Sequence, residues 1–141
     1  MANKTISTQS ATIRVKVGAA AFVKLGGIVS FSGLGGGSGT VIDSTDLDST
    51  AREKLMGLAD EGTFTVNCNY HDDDVGQVAL MTARADRSLV SFELKLPGIT
   101  QVYKWDGFVQ TGETSGGVDA KVERAFAIEI TGSVTRGTAA V

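Results

Sequence analysis

The sequence predicts a mainly β (α+β) protein with one α-helix, and three observations support this. The 141 residues fit a single domain and are enough to bury an ordinary core. Eighteen glycines and one proline favour strands, turns and loops over a helical bundle. Apolar and polar residues alternate with a period of two in several segments, most clearly in residues 63–70. We place one domain at residues 1–141, with tails at residues 1–12 and 133–141 that are flexible unless a neighbouring molecule orders them.

The N-terminal part is predicted to contain extended segments followed by a glycine-rich loop. Residues 12–17 alternate and predict a strand. Residues 21–25 and 28–32 predict a second extended pair, with a turn or bulge at the two glycines between them. Residues 33–40 read GLGGGSGT but lack both the lysine of a P-loop and the third glycine of a dinucleotide fingerprint. We therefore predict a flexible loop there and no nucleotide site.

The middle of the chain is predicted to contain turns, a strand and the helix. Residues 43–49 are rich in Asp, Ser and Thr, which favours turns. Residues 51–58 predict a brief helical turn that begins with a capping box. Residues 63–70 predict a strand, and Asp74 predicts the N-cap of a helix that ends near residue 85. The side chains expected inside are Phe64, Val66, Cys68 and Tyr70 of the strand and Val75, Val78, Ala79 and Thr82 of the helix.

Three longer strands are predicted towards the C-terminus, in residues 89–96, 99–110 and 118–130. A shift in the phase of alternation within the second strand, around Asp106-Gly107, predicts a bulge or a twist. Residues 112–117 predict a mobile hairpin loop. Arg124 interrupts the apolar face of the third strand, which is typical of an arginine that snorkels to the surface or is paired at an interface.

Charge is distributed unevenly along the chain. Residues 1–42 contain four basic residues and no acidic residue, a net charge of +4, whereas residues 43–74 contain nine acidic and two basic residues, a net charge of −7. Such asymmetry can bring copies of one chain together, although two solvated faces of unlike sign would explain the same pattern. The candidate self-assembly contacts are Lys4, Arg14, Lys16, Lys24, Asp43, Asp46 and Asp48.

Residue types that carry out catalysis are sparse. His71 is the only histidine, Cys68 is the only cysteine, and no G-x-S-x-G motif is present. One His and one Cys are too few for a zinc site, and the aspartates at positions 72–74 break the EF-hand pattern and suit a capped helix better. The scattered basic residues form no nucleic-acid-binding motif. We predict no enzyme activity, catalytic residue, cofactor or metal, although paired carboxylates across a sheet cannot be recognised from spacing.

The sequence also bears on the compartment. It contains neither a signal-peptide h-region nor the run of about 18 apolar residues that spans a bilayer. The single cysteine suits a reducing compartment. We expect an intracellular product without a membrane anchor.

Four stretches together resemble one known family. They are IDSTDLDS at residues 42–49, EKLMGLADEG at 53–62, FTVNCNY at 64–70, and the Asp cluster at 72–74 with Gly76-Gln77 behind it. This order is similar to that of the tail tube (major tail) proteins of tailed bacteriophages.

The resemblance implies a fold and an assembly. It covers residues 41–83 best and extends loosely from about 12 to 132. It implies a β-sandwich or split barrel flanked by one helix, with six copies in a ring whose inner strands join into a β-barrel. Rings would stack into a helical tube that conducts DNA in its lumen during ejection, within a virion tail assembled in the host cytoplasm. The tape measure, terminator and tail tip proteins would be further partners. The alternative is a small β-barrel module that binds a ligand or a protein.

The charge split adds an expectation to this assembly. We expect Lys4, Arg14, Lys16 and Lys24 of one subunit to contact the region of Asp43, Asp46 and Asp48 in another. We also expect the loop at residues 33–40 to become ordered only between rings.

Overall fold

The computed structural model describes residues 5–7 and 9–138 of the chain. Within them the secondary structure is mainly β with one helix, as predicted. The elements in chain order are β1 Thr12–Val17, β2 Val23–Lys24, β3 Ile28–Ser32, β4 Ser38–Asp43, β5 Lys54–Asp60, β6 Thr63–Asn69, α1 Val75–Asp86, β7 Val90–Lys95, β8 Gln101–Ser115 and β9 Glu123–Thr138.

Seven strands form one antiparallel sheet in the order β2-β1-β7-β8-β9-β6-β3, and β4 and β5 form a separate pair. β8 and β9 are the longest strands, with 15 and 16 residues. Their pairing shifts register between Lys104 and Asp106 and again between Val109 and Thr111. The first shift confirms the predicted bulge. Such irregularities bend a strand, so β8 and β9 can each contribute to two parts of the sheet.

The long strands divide the sheet into two halves. The pairing of β7 with β8 is confined to the first half of β8, and the pairing of β6 with β9 is confined to the first half of β9. Sheet I comprises β2, β1, β7, residues 101–107 of β8 and residues 131–138 of β9. Sheet II comprises β3, β6, residues 108–115 of β8 and residues 123–130 of β9. The halves pack face to face, since Trp105 of sheet I stacks on Phe92 and lies with its ring centroid 4.8 Å from that of Phe64 in sheet II.

The two edge strands β2 and β3 are separated by only residues 25–27, so the chain crosses from one edge of the sheet to the other in three residues. The backbone N–H of Leu25 donates to the Ile13 carbonyl at 2.8 Å, and that of Asn69 donates to the Gly27 carbonyl at 2.7 Å. This junction closes the sandwich into a split barrel. The prediction that residues 21–25 and 28–32 form a pair with each other is wrong, because β2 pairs with β1 and β3 with β6.

The predicted inward face of β6 is confirmed for Phe64, Val66 and Cys68, and the apolar residues of β1 and β7 meet them in one core. Cys68 is fully buried there, as expected for a small apolar residue. Burial, and then the nearby Asp74 carboxylate, raise the pKa of its thiol to about 11, against a smaller opposite effect of Arg124. The thiol therefore stays protonated at neutral pH.

The helix has the predicted N-cap but buries a different face. Asp74 Oδ2 accepts a hydrogen bond from the backbone N–H of Gln77 at 3.0 Å. Val75 and Val78, expected inside, are exposed, whereas Gln77 and Leu80 are fully buried. The apolar pattern is misleading here because the side-chain amide of Gln77 satisfies backbone groups in the interior, so a polar residue takes the inner position.

The buried amide of Gln77 holds the junction between β2 and β3. Its Nε2 donates to the carbonyls of Gly26 (3.0 Å) and Asn69 (2.9 Å), and its Oε1 accepts from the backbone N–H of His71 at 3.2 Å. The helix can approach this closely because Gly76 has no side chain: a Cβ there would lie 2.6 Å from the backbone of residues 24–25.

Two predictions between residues 33 and 60 are wrong. Residues 51–58 do not form a helical turn, and their second half belongs to β5. The loop at residues 33–40 is shorter than predicted, since β4 begins at Ser38. Backbone pairing between β4 and β5 outweighs the local capping signal, which is worth only about 1 kcal/mol. The predicted turns at residues 43–49 are confirmed by Asx-type hydrogen bonds to Asp43 and Asp46.

The C-terminal boundaries also differ from the prediction. β8 continues to Ser115, so the connection to β9 covers residues 116–122, and the first part of the segment predicted as a strand lies in this loop. Residues 133–138, predicted as part of a tail, continue β9 and reach the start of β8. Residues 139–141 and 1–4 lie outside the described part. The single domain remains a prediction.

Arg124 is 8% exposed, and its guanidinium carbon lies 4.2 Å from the centroid of the Tyr70 ring. It is thus covered by an aromatic side chain within the same copy. Tyr70, expected inside, lies beyond the end of β6 and is more than one third exposed.

Candidate self-assembly surfaces

The β4–β5 hairpin with its connecting loop, residues 38–60, projects as an arm that is separate from the seven-stranded sheet. An isolated two-stranded hairpin is at best marginally stable in water. Adjacent strand positions point to opposite faces, and here adjacent apolar residues are exposed on both strands. Neither face of the arm is therefore covered. The residues concerned, each at least half exposed, are Val41, Ile42, Leu55, Met56 and Leu58.

The tip of the arm, residues 43–53, places the three predicted aspartates together. Asp43 Oδ2 accepts a hydrogen bond from Arg52 at 2.8 Å. Hydrogen bonds from Thr45 are the main cause that lowers the pKa of the Asp43 carboxyl, with Arg52 contributing less. Asp46 Oδ1 accepts from the backbone N–H of Asp48 and from the Ser49 hydroxyl, both at 3.0 Å. The acidic tip is thus an ordered turn.

Leu47 stands between Asp46 and Asp48 at the end of this turn and is fully exposed. Its neighbours hold the backbone of the turn, so the side chain is presented in a defined place. The sequence analysis named the acids around it but missed this leucine.

The predicted basic contacts lie on sheet I, except Lys4, which is outside the described residues. Arg14 donates to Glu93 Oε1 at 3.1 Å, so part of its charge is engaged within the chain. Lys16 Nζ lies 5.7 Å from the centroid of the Phe22 ring, and Lys24 is exposed on the edge strand β2. The outer face of sheet I therefore collects most of the predicted cations.

Strand register adds two cations that the sequence analysis missed. Lys95 lies opposite Thr12 and Lys104 opposite Glu93, on the same outer face as Arg14. A long-range pairing decides these positions, so no local signal could have found them. The outer face has five cations and two carboxylates in the described residues: Arg14, Lys16, Lys24, Lys95 and Lys104 against Glu93 and Asp106.

The outer face of sheet II has the opposite character. Its side chains alternate with the buried core residues and, apart from Phe108, are small, polar or acidic, with no lysine or arginine. Its edges are β3 and the second half of β8, neither of which pairs with a further strand in the described part of the chain. The residues of this face are Ser30, Ser32, Thr63, Thr65, Asn67, Asn69, Phe108, Thr111, Glu113, Ser115, Glu123, Ala125, Ala127 and Glu129.

Within residues 5–7 and 9–138, no group of three His, Cys, Asp or Glu side chains could hold a metal ion. In the same residues, α1 is too short and polar to cross a membrane. Between the two halves of the sheet, the rings of Phe31, Phe64, Trp105 and Phe92 contact one another in series.

Comparison with solved structures identifies the fold, whereas no family model and no curated protein matches the sequence. The tail of an empty GTA particle, solved with C6 symmetry, has a subunit that superposes with a TM-score of 0.71 at 16% identity over 94% of this chain and 98% of that chain. The SPP1 tail tube gives a TM-score of 0.72 at 13% identity over 96% and 80% of the two chains. The sheath-tube complex of a PVC extracellular contractile injection system gives 0.61 at 13% over 90% and 88%. The predicted resemblance is thereby confirmed at the level of the fold, and this chain has the tail tube fold.

Proposed function

We propose that this chain is a structural tail tube subunit and not an enzyme, with six copies in each ring and rings stacked into a hollow helical tube. One observation carries the proposal: a chain with the tail tube fold projects an arm whose apolar residues are exposed on both faces. The exposed apolar area of such an arm does not stabilise a monomer, whereas neighbouring copies can cover it.

Sheet II provides the means of closing a ring. Its two edges, β3 and the second half of β8, present unpaired backbone groups. Pairing of one copy's β3 with the next copy's β8 would continue the sheet around the ring and remove both edges. The β4–β5 arm would then join one ring to the next, since its apolar faces need partners beyond its own copy.

In this arrangement the outer face of sheet II faces the lumen. The face has Glu113, Glu123 and Glu129 and no cation, so it would repel the phosphate backbone and let DNA pass without adhering. This role implies that DNA passes through the lumen. It also implies contact with tape measure, terminator and tail tip proteins, and assembly into a virion tail in the host cytoplasm.

The first expected result is self-assembly of the purified protein. Sedimentation and negative-stain microscopy at increasing concentration should show hollow particles of uniform diameter with six-fold symmetric end views. The alternative, a small binding module, predicts a monomer or dimer at every concentration, and that result would reject the tube role.

The second expected result concerns the lumen. Ala125→Cys on sheet II should react with a bulky polyethylene glycol maleimide in monomers but not in assembled tubes. Val78→Cys, on the exposed face of α1, is the matched control and should react in both states. The native Cys68 should stay silent below about pH 9, because it is buried and its pKa is raised to about 11. Equal labelling of Ala125→Cys in tubes and monomers would place sheet II away from the lumen.

A further inference from the structure

We propose that the arm tip of one copy docks on the outer face of sheet I of another, with Leu47 inserted in the cleft beside Phe22. This inference rests on the proposed tube, and it names the receptor for the arm. It places Leu47 and the cleft on different copies, so the contact can be repeated from ring to ring.

The receptor is a cleft of about 230 Å³ on sheet I, lined by Phe22, Ser91 and Lys104 among others. Phe22 stands before β2, and the guanidinium carbon of Arg14 lies 5.1 Å from its ring centroid. The aromatic ring therefore forms an apolar wall among charged neighbours. A branched aliphatic side chain is the kind of group that such a wall accepts.

Leu47 is suited to this cleft because it is exposed on a rigid turn. Leu47 is fully exposed at the end of a turn that Asp46 holds through two 3.0 Å hydrogen bonds. A preorganised turn loses little entropy on docking, so the apolar contact is retained as binding energy. The only other aliphatic side chain in residues 43–53 is the single methyl group of Ala51, which is too short to compete with it.

The opposite net charges of the arm tip and the outer face of sheet I favour the same contact. The tip carries Asp43, Asp46, Asp48 and Glu53 against Arg52, a net charge of −3. The outer face of sheet I has five cations against two carboxylates, a net charge of +3 in the described residues. The acidic face of sheet II would repel the tip. The basic residues of the contact thus include Lys16 and Lys24, joined by Lys104.

A disulfide test locates the contact. Leu47→Cys and Ser91→Cys in one chain should give a ladder of disulfide-linked multimers when assembled tubes are oxidised, because Ser91 lines the cleft. Leu47→Cys combined with Val78→Cys should give no ladder. Tubes that form and show no ladder with the Ser91 pair would overturn this docking while leaving the tube role intact. Failure of the unmodified protein to form tubes would instead reject the tube role.

A charge swap covers the case in which the cysteine variants do not assemble. Asp48→Lys and Lys104→Asp should each raise the critical concentration for assembly about 3- to 10-fold, and the double variant should restore it. If the double variant is as impaired as the sum of the singles, the proposed docking is wrong. The unfolding midpoint of each monomer checks that folding is unchanged.

Discussion

Replacing Gln77 with leucine is expected to lower the free energy of unfolding of the monomer by about 3–5 kcal/mol, although leucine is the better core residue. The reason is the junction between β2 and β3. Leucine would leave the carbonyls of Gly26 and Asn69 and the N–H of His71 without their partner. Each orphaned buried group costs about 1–3 kcal/mol. Urea denaturation at a concentration below assembly measures the effect.

Val78→Leu is the matched control, because Val78 is the next residue of the same helix and points outward. Its unfolding free energy should stay within about 0.5 kcal/mol of the original. A Gln77→Leu variant as stable as the control would show that the junction does not depend on this amide. We also expect Gln77→Leu to abolish ring formation, since β3 is both the end of the junction and an edge of sheet II.

The pattern of strands and the single helix could be predicted because both depend on local periodicity and capping. The alternation in residues 63–70 and the Asp74 cap are examples, and both were correct to within a residue or two. Strand pairing depends on contacts distant in sequence. The same pattern that marks residues 21–25 and 28–32 as extended gives no indication that they lie at opposite edges of a sheet.

The arm shows why local signals failed elsewhere. Residues 51–58 contain a capping box followed by helix-forming residues, yet residues 54–60 pair with β4. In the proposed tube, neighbouring copies would complete this hairpin, so the pattern of burial within one chain does not describe it. The acidic tip was found from composition, whereas Leu47, Lys95 and Lys104 needed the structure, because exposure and register decide their roles.

Leu58→Glu is expected to raise the critical concentration for assembly by at least about 10- to 100-fold while the monomer folds normally. Leu58 is 94% exposed on β5, so the substitution removes almost no contact within the copy, and the unfolding free energy should change by about 0.5 kcal/mol or less. Burying a leucine between copies contributes about 1.5–3 kcal/mol, which corresponds to a roughly 10- to 100-fold change in critical concentration. A buried, unpaired carboxylate adds to this loss. Sedimentation at rising protein concentration measures the shift.

The conservative variant Leu58→Met separates apolar burial from any particular shape. Methionine keeps the apolar area and is unbranched and adaptable, so tubes should form at nearly the original concentration. Leu58→Glu tubes that form as readily as those of Leu58→Met would mean that the exposed apolar residues of the arm are not covered by neighbours. Because the monomer is expected to be equally stable in both variants, any difference in tube yield reports on contacts between copies. A stable fold and a failed assembly in the same variant would show that this hairpin is retained for the partner that covers it.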